Sequence, residues 1–144
     1  MTATVDEIGH LLAAGVTGWD YATDRELDPA KVPVCVAGAP ESPDSAVVVN
    51  TYPGGPEPDT GNGWEYPRLQ VRVRALDPLE ALALDRLAYD VLQATPGKYP
   101  DLLPSTTRWL QDCYALQSDP QPLGQDSNGR WEYVRNYQLS VEQA

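Results

Sequence analysis

The alternation of apolar and polar positions is most regular between Tyr66 and Thr95. From Arg68 to Arg74, Leu69, Val71 and Val73 point one way while Arg68, Gln70, Arg72 and Arg74 point the other, the period of a half-buried strand. The pattern breaks at Ala75-Leu76. Asp77 is then placed to accept from the free N–H groups of a first helical turn. Pro78 stands where a missing donor costs nothing, and Glu80 is three residues past the cap, within reach of it. Leu84, Leu87, Ala88, Val91 and Leu92 recur at helical spacing, which predicts a helix with one buried stripe, ended by Pro96-Gly97. Strand and helix each have one apolar face, and covering both makes the pair the centre of an α+β core.

The flanking patterns extend this. Thr4 to Ala14 reads as a short amphipathic helix with its stripe at Val5, Ile8, Leu11, Leu12 and later Val16, Thr4 able to cap and Glu7 at the capping-box position. His10 lies off the stripe beside acids, as an exposed helix histidine. Trp19 and Tyr21 fall in an Asp/Gly turn, either covering one end of the core or meeting a partner. Val32 to Val36 is a short strand that Pro33 pushes toward a sheet edge, and Gly38 to Asp44 is a loop. Ala46 to Tyr52 is a β-branched run and a strand. Pro53 to Trp64 has three prolines, four glycines and no apolar residue before Trp64, so it is an extended hairpin loop. A solvated loop is the default reading, but connections of this length are uncommon and often functional. Gly54, Gly55, Asp59 and Trp64 are its candidate contact residues.

Lys98 to Pro104 is loop. Trp109 to Gln117 is a strand of imperfect alternation, either buried on both faces or bulged. Ser118 to Gln121 and Leu123 to Arg130 are turns, with Asn128-Gly129 suited to a tight hairpin. Asp126 to Gly129 also looks like the start of a calcium loop, but the remaining ligands and closing Glu are missing. Trp131 to Val141 alternates as a last strand, and Arg135 on its mostly apolar face needs a carboxylate, in the sheet or at a subunit contact. The order is helix, strand, strand–loop–strand, helix, strand–hairpin–strand. It predicts one α+β domain over residues 1–144, a mixed, largely antiparallel sheet with helices packed on one face.

Charge and composition narrow the function. The 144 residues hold 10 basic and 21 acidic side chains, a formal net charge of −11. That argues against ordinary binding to a nucleic-acid backbone, and suits a protein that repels a polyanion or pairs with a basic partner. No apolar run is long enough for a membrane span, and no secretory signal is visible. Cys35 and Cys113 are read as buried free thiols; a disulfide has no support. With one histidine in the chain, triads and zinc sites lack their residues, and no nucleophile elbow or phosphate loop occurs. Carboxylate neighbours such as Asp6/Glu7 and Asp24/Glu26 are what an acidic chain produces by chance. No catalytic, cofactor or metal residue is assigned, and no enzyme activity is expected. Arg68, Arg72 and Arg74 carry more information. Either they form a solvated face balanced by Glu65 and Asp77, or they present bidentate donors at a subunit or partner interface, where Arg is enriched.

Two stretches together resemble a known family. One is PRLQVRVRALDPLEALALDRLAYDVL from Pro67 to Leu92, a strand, a short break and an alanine-rich helix. The other is PLGQDSNGRWEYVRNYQLSV from Pro122 to Val141, where Gly124, Asp126, Gly129 and Arg130 form a Gly-x-Asp-x-x-Gly-Arg segment before a strand. Their order and separation are similar to those of the minor capsid and tail terminator proteins of long-tailed bacteriophages, over about half of the chain. The resemblance implies a structural virion protein, assembled in the host cytoplasm as a homohexameric ring at the head-proximal end of the tail tube. There it stops tube polymerisation and joins the tail to head-completion (stopper) proteins, with genomic DNA passing through the bore without specific binding. Candidate interface residues are Arg68, Arg72, Arg74, Arg130, Trp131 and Arg135, together with the Pro53–Trp64 loop. The alternatives are another neck component, such as a head-closure or connector protein, or an unrelated small α+β enzyme or ligand-binding domain.

Overall fold

The computed structural model describes residues 4–21, 28–61, 63–93, 101–102 and 109–143. In chain order the elements are α1 (Thr4–Gly15), β1 (Trp19–Tyr21), β2 (Val32–Val36), β3 (Ala46–Tyr52), β4 (Trp64–Glu65), β5 (Arg68–Ala75), α2 (Pro78–Leu92), β6 (Asp101–Leu102), β7 (Trp109–Ala115), β8 (Gln121–Gln125) and β9 (Trp131–Glu142). The strands make one nine-stranded sheet of order β1-β2-β3-β5-β9-β7-β6, with β4 and β8 also paired to β9. Pairing is parallel from β1 to β3 and antiparallel from β3 onward. This is the mixed, largely antiparallel α+β sheet that the residue pattern predicts.

One face of the sheet carries both helices. Leu69, Val71 and Val73 of β5 stand opposite Thr51, Val49 and Val47 of β3 and Tyr137, Arg135 and Tyr133 of β9. On this face Ile8 and Leu12 of α1 and Leu84, Ala88 and Leu92 of α2 join Val47, Val49, Leu69, Val71, Val73, Tyr137 and Leu139 in one core. Fully burying each of the larger aliphatic chains contributes about 1.5–3 kcal/mol. The helix start holds as expected: Asp77 caps α2, its side chain accepting from Leu79 N–H, with Pro78 in the first turn. The stripe differs in that Leu87 is exposed, while Ala81 and Asp85 are buried. Pro96-Gly97 lies outside the described residues.

Four local expectations change. Trp19 to Tyr21 is not a turn but a strand parallel to β2, and both aromatic side chains are buried against the core. Pro33 does not put β2 at an edge, since β2 lies between β1 and β3. Val32 N–H donates to Gly18 O, so the Pro33 position faces the other neighbour, and the ladder with β3 begins only at Val34↔Val47. The missing donor therefore falls where no ladder bond is needed. Residues 121–125 form strand β8 on β9 rather than two turns, with a register shift between Pro122 and Gly124. Within the Lys98–Pro104 stretch, Asp101–Leu102 pairs with β7. The bulge alternative for the Trp109 strand is the one observed, between Leu110 and Asp112.

The parallel pair β2–β3 has a topological consequence. Two parallel neighbours need a return path, usually a helix; here only residues 37–45 make it. They run over the face opposite the helices, where Arg74 bonds their carbonyls, and on that helix-free side Cys35, Ala46, Val48 and Val134 are buried.

Candidate functional site

The helix-free face begins at the arginines of β5. Val73 faces the core, so Arg74 faces the crossover. It is 5% exposed, and donates to three main-chain oxygens of the crossover: Asp44 O at 2.9 Å, Pro40 O at 2.7 Å and Pro43 O at 2.7 Å. A helix-less return path leaves these carbonyls without ladder partners, and one guanidinium satisfies all three. Burial, then the nearby Arg130 charge, pulls the Arg74 pKa below its ordinary value.

Arg130 completes the clamp. The Asp126 carboxylate accepts from Asn128 N–H and Arg130 N–H, each at 2.9 Å, and from Arg130 Nε at 2.8 Å. Gly129, at φ 78°, supplies the left-handed residue that this turn requires. The turn thus aims Arg130 inward, where it donates to Glu41 O and lies 3.8 Å from Asp44. These bonds, led by that from the Arg130 main chain, hold the Asp126 carboxyl below the usual carboxylate range. Arg130 is 5% exposed, so it ties its own turn to the crossover instead of being offered to a partner.

Arg135 is buried in the same way on the helix side. It forms a two-point pair with Asp85 of α2, at 3.2 and 2.7 Å, stacks over the Tyr89 ring at 4.5 Å, and donates to Gln117 O and Ser118 O at 3.5 and 3.2 Å. The carboxylate expected for Arg135 thus comes from the helix above the sheet, and the arginine ties α2 to the corner between β7 and β8. Arg74, Arg130 and Arg135 are consequently structural, and Trp131 packs half-buried against the core.

The Pro53–Trp64 loop is anchored at its far end. Asp59 N–H donates to Trp64 O, and the Asp59 carboxylate accepts from Trp64 N–H and the Tyr66 hydroxyl. Gln143 Nε2 donates to Asp59 O at 2.6 Å. Trp64 begins β4, which pairs with the end of β9. Gly54 and Gly55 remain exposed, Gly54 beside the Arg68 guanidinium. Asp59 and Trp64 thus hold the loop in place, while its proline–glycine limb faces outward.

Among the described residues, two arginines stay accessible on the helix-free face. Arg68 is half-buried and donates to Gln138 at 3.2 Å; Arg72 lies 4.0 Å from Glu132 and its side chain is 33% exposed. Across this face Tyr114, Gln138 and Arg68 stand in register. On β7 and just after it, with β9 between them and β5, are three exposed apolar residues that the strand pattern does not single out: Trp109, Tyr114 and Leu116. Leu76, just before the α2 cap, and Leu79 and Leu87 on α2 are exposed as well. Their signal is present in the sequence, since Leu79, Ala83 and Leu87 repeat at i, i+4, i+8, but reading a single stripe folds Leu87 into the core set.

The cysteines do not form a disulfide. Cys35 is buried on the helix-free side under the crossover, and Cys113 lies in the helix-side core. Burial pushes the Cys35 thiol up. His10 is half-exposed, 3.9 Å from Asp6 and edge-on to Tyr21. Among the described residues no helix is long and apolar enough to cross a membrane.

The family described as "Bacteriophage tail terminator protein" matches residues 15–143, a span that takes in every strand and α2. Among solved structures, a chain from "Virion of native gene transfer agent (GTA) particle" is similar in fold, with a TM-score of 0.57 and 12% identity over 76% of this chain and 78% of that one. No curated protein matches in sequence.

Proposed function

Because the chain belongs to the bacteriophage tail terminator family, and is a structural protein of the virion tail, we propose that it closes into a ring on the head-proximal end of the tail tube. The ring stops tube growth and presents its other side to the head-completion protein. The observation that carries this reading is the family match over residues 15–143, supported by a fold shared with a chain of a gene transfer agent virion. Physical features agree with it. Subunits of a ring contact each other through two different patches, and this fold exposes apolar residues on both its helix side and its helix-free side. A net charge of −11 suits a conduit that DNA crosses without sticking, since phosphate binding needs basic surface. On this reading the chain binds and positions and does no chemistry.

Electron microscopy of tail tubes assembled with and without the protein tests this. Capped tubes of limited length, carrying density at one end, are expected. Tubes that elongate equally in its presence contradict it. Density on a portal-side adaptor and never on tubes favours a head-closure or connector role instead.

A further inference from the structure

We propose that Asn128 is a self-modifying site. The Gly129 main-chain nitrogen closes on the Asn128 side-chain amide, and the aspartate or isoaspartate that results loosens the hold of Arg130 on the crossover. The chemistry needs no partner protein, so it stands whether or not the chain closes into a ring.

The surroundings of Asn128 set it apart. Asn128 and Gly129 are exposed at the tip of the hairpin between β8 and β9. The Asn128 side chain makes no hydrogen bond among the described residues, its main-chain N–H alone being held. Gly129 has no Cβ to shield its nitrogen, and the space that a Cβ would take is open, with no atom within 4 Å. Asn50 and Asn136 differ in each respect. They stand inside β3 and β9, before Thr51 and Tyr137, and the Asn136 side chain accepts from Gln70 at 3.4 Å.

The step balances with water as the only co-reactant. The Gly129 nitrogen forms a bond to Asn128 Cγ and gives up its proton; the side-chain amide leaves as ammonia and carries that proton away. Water then opens the five-membered imide. Attack at Cγ leaves aspartate, and attack at the main-chain carbonyl leaves isoaspartate. The turn sets the rate. Gly129 N–H donates to Asp126 O at 3.1 Å, and the Asp126 carboxylate holds the N–H groups of Asn128 and Arg130, each at 2.9 Å. While these bonds are made, the Gly129 nitrogen is committed to Asp126, so closure waits for a local opening of the turn.

The product acts on the clamp. Isoaspartate adds a methylene to the main chain between Asn128 and Gly129, and either product adds a negative charge. The lengthened turn cannot keep both N–H groups on the Asp126 carboxylate with Arg130 still aimed inward at Glu41 O and Asp44. Residues 37–45 then keep the three bonds from Arg74 and lose the tie from Arg130.

The test ages the full chain for days in mildly alkaline buffer, folded and in urea. Peptide mass spectrometry reads the amide-to-acid change at Asn128, and isoaspartyl methyltransferase labelling reads isoaspartate. Asn62 also precedes a glycine, so its peptide is scored separately. Asn128→Gln removes the reacting amide, and Asp126→Ala frees the turn. Circular dichroism checks each fold, with Asp126→Ser in reserve. Folded wild type is expected to accumulate both products at Asn128, several-fold more slowly than Asp126→Ala. Aged wild type is expected to be cut faster within residues 37–45 than fresh protein, whereas aged Asn128→Gln is not. A folded wild type that stays unmodified while the urea-treated chain reacts overturns the site. Equal rates in wild type and Asp126→Ala overturn control by the turn. Full modification without faster cutting of the crossover overturns its link to Arg130.

Discussion

Asp85 and Arg135 sit almost out of contact with solvent, their side chains 3% and 4% exposed. Breaking such a pair costs more than the pair contributes, because one charge stays buried alone. Arg135→Met is therefore expected to lower unfolding stability by about 3–5 kcal/mol in urea titrations. Asp85→Leu combined with Arg135→Met should recover most of the loss, leaving the cost of the unpaired Gln117 and Ser118 carbonyls. Asp126 gives a pH prediction. Its pKa is depressed in the folded chain, so the stability it contributes is present above the ordinary aspartate pKa and is lost as pH falls through the lower folded value. Melting temperature should drop in that acidic window for the wild type. In Asp126→Asn it should already be lower at neutral pH and respond less to acid.

Among the elements, the crossover of residues 37–45 depends on the side chains beneath it. Removing the Arg74 guanidinium leaves three carbonyls to find water, so Arg74→Met is expected to cost roughly 2–4 kcal/mol and to speed proteolysis within the crossover before it affects the rest of the sheet. In the 53–64 loop, a Cβ at Gly55 would run into the Tyr66 carbonyl oxygen, which is backbone and cannot swing aside. Gly55→Ala should therefore displace the loop, and hydrogen exchange should report faster protection loss around Tyr66 with little change in α2.

The regular elements were legible because each has one apolar face. The strict alternation of Arg68–Arg74 and the Asp77-Pro78 start of α2 both stand as read. What the pattern could not supply was the identity of long-range partners. Arg74 alternates like Arg68 and Arg72, yet it is buried, because the parallel β2–β3 pair sends the crossover over it. Nothing local in QVRVR encodes that. Arg130 likewise reads as an exposed turn residue until Asp126 and Glu41 are seen around it. Short strands such as β1, β4 and β8 take their structure from the neighbours they pair with, so they carry little signal of their own.

At the scale of the whole molecule, the acidic balance predicts behaviour toward DNA. Fluorescence anisotropy with duplex DNA should show no saturable binding even at low salt, where phosphate contacts are strongest; saturable binding that weakens steeply with salt would conflict with a conduit role. Assembly is the property on which the account stands. The most direct measurement is the mass of the purified protein by light scattering over a concentration series, alone and with tail tubes, with images of any large species. Closed rings, or tubes capped by them, are the expected result. A strict monomer that leaves tube ends bare would contradict the account.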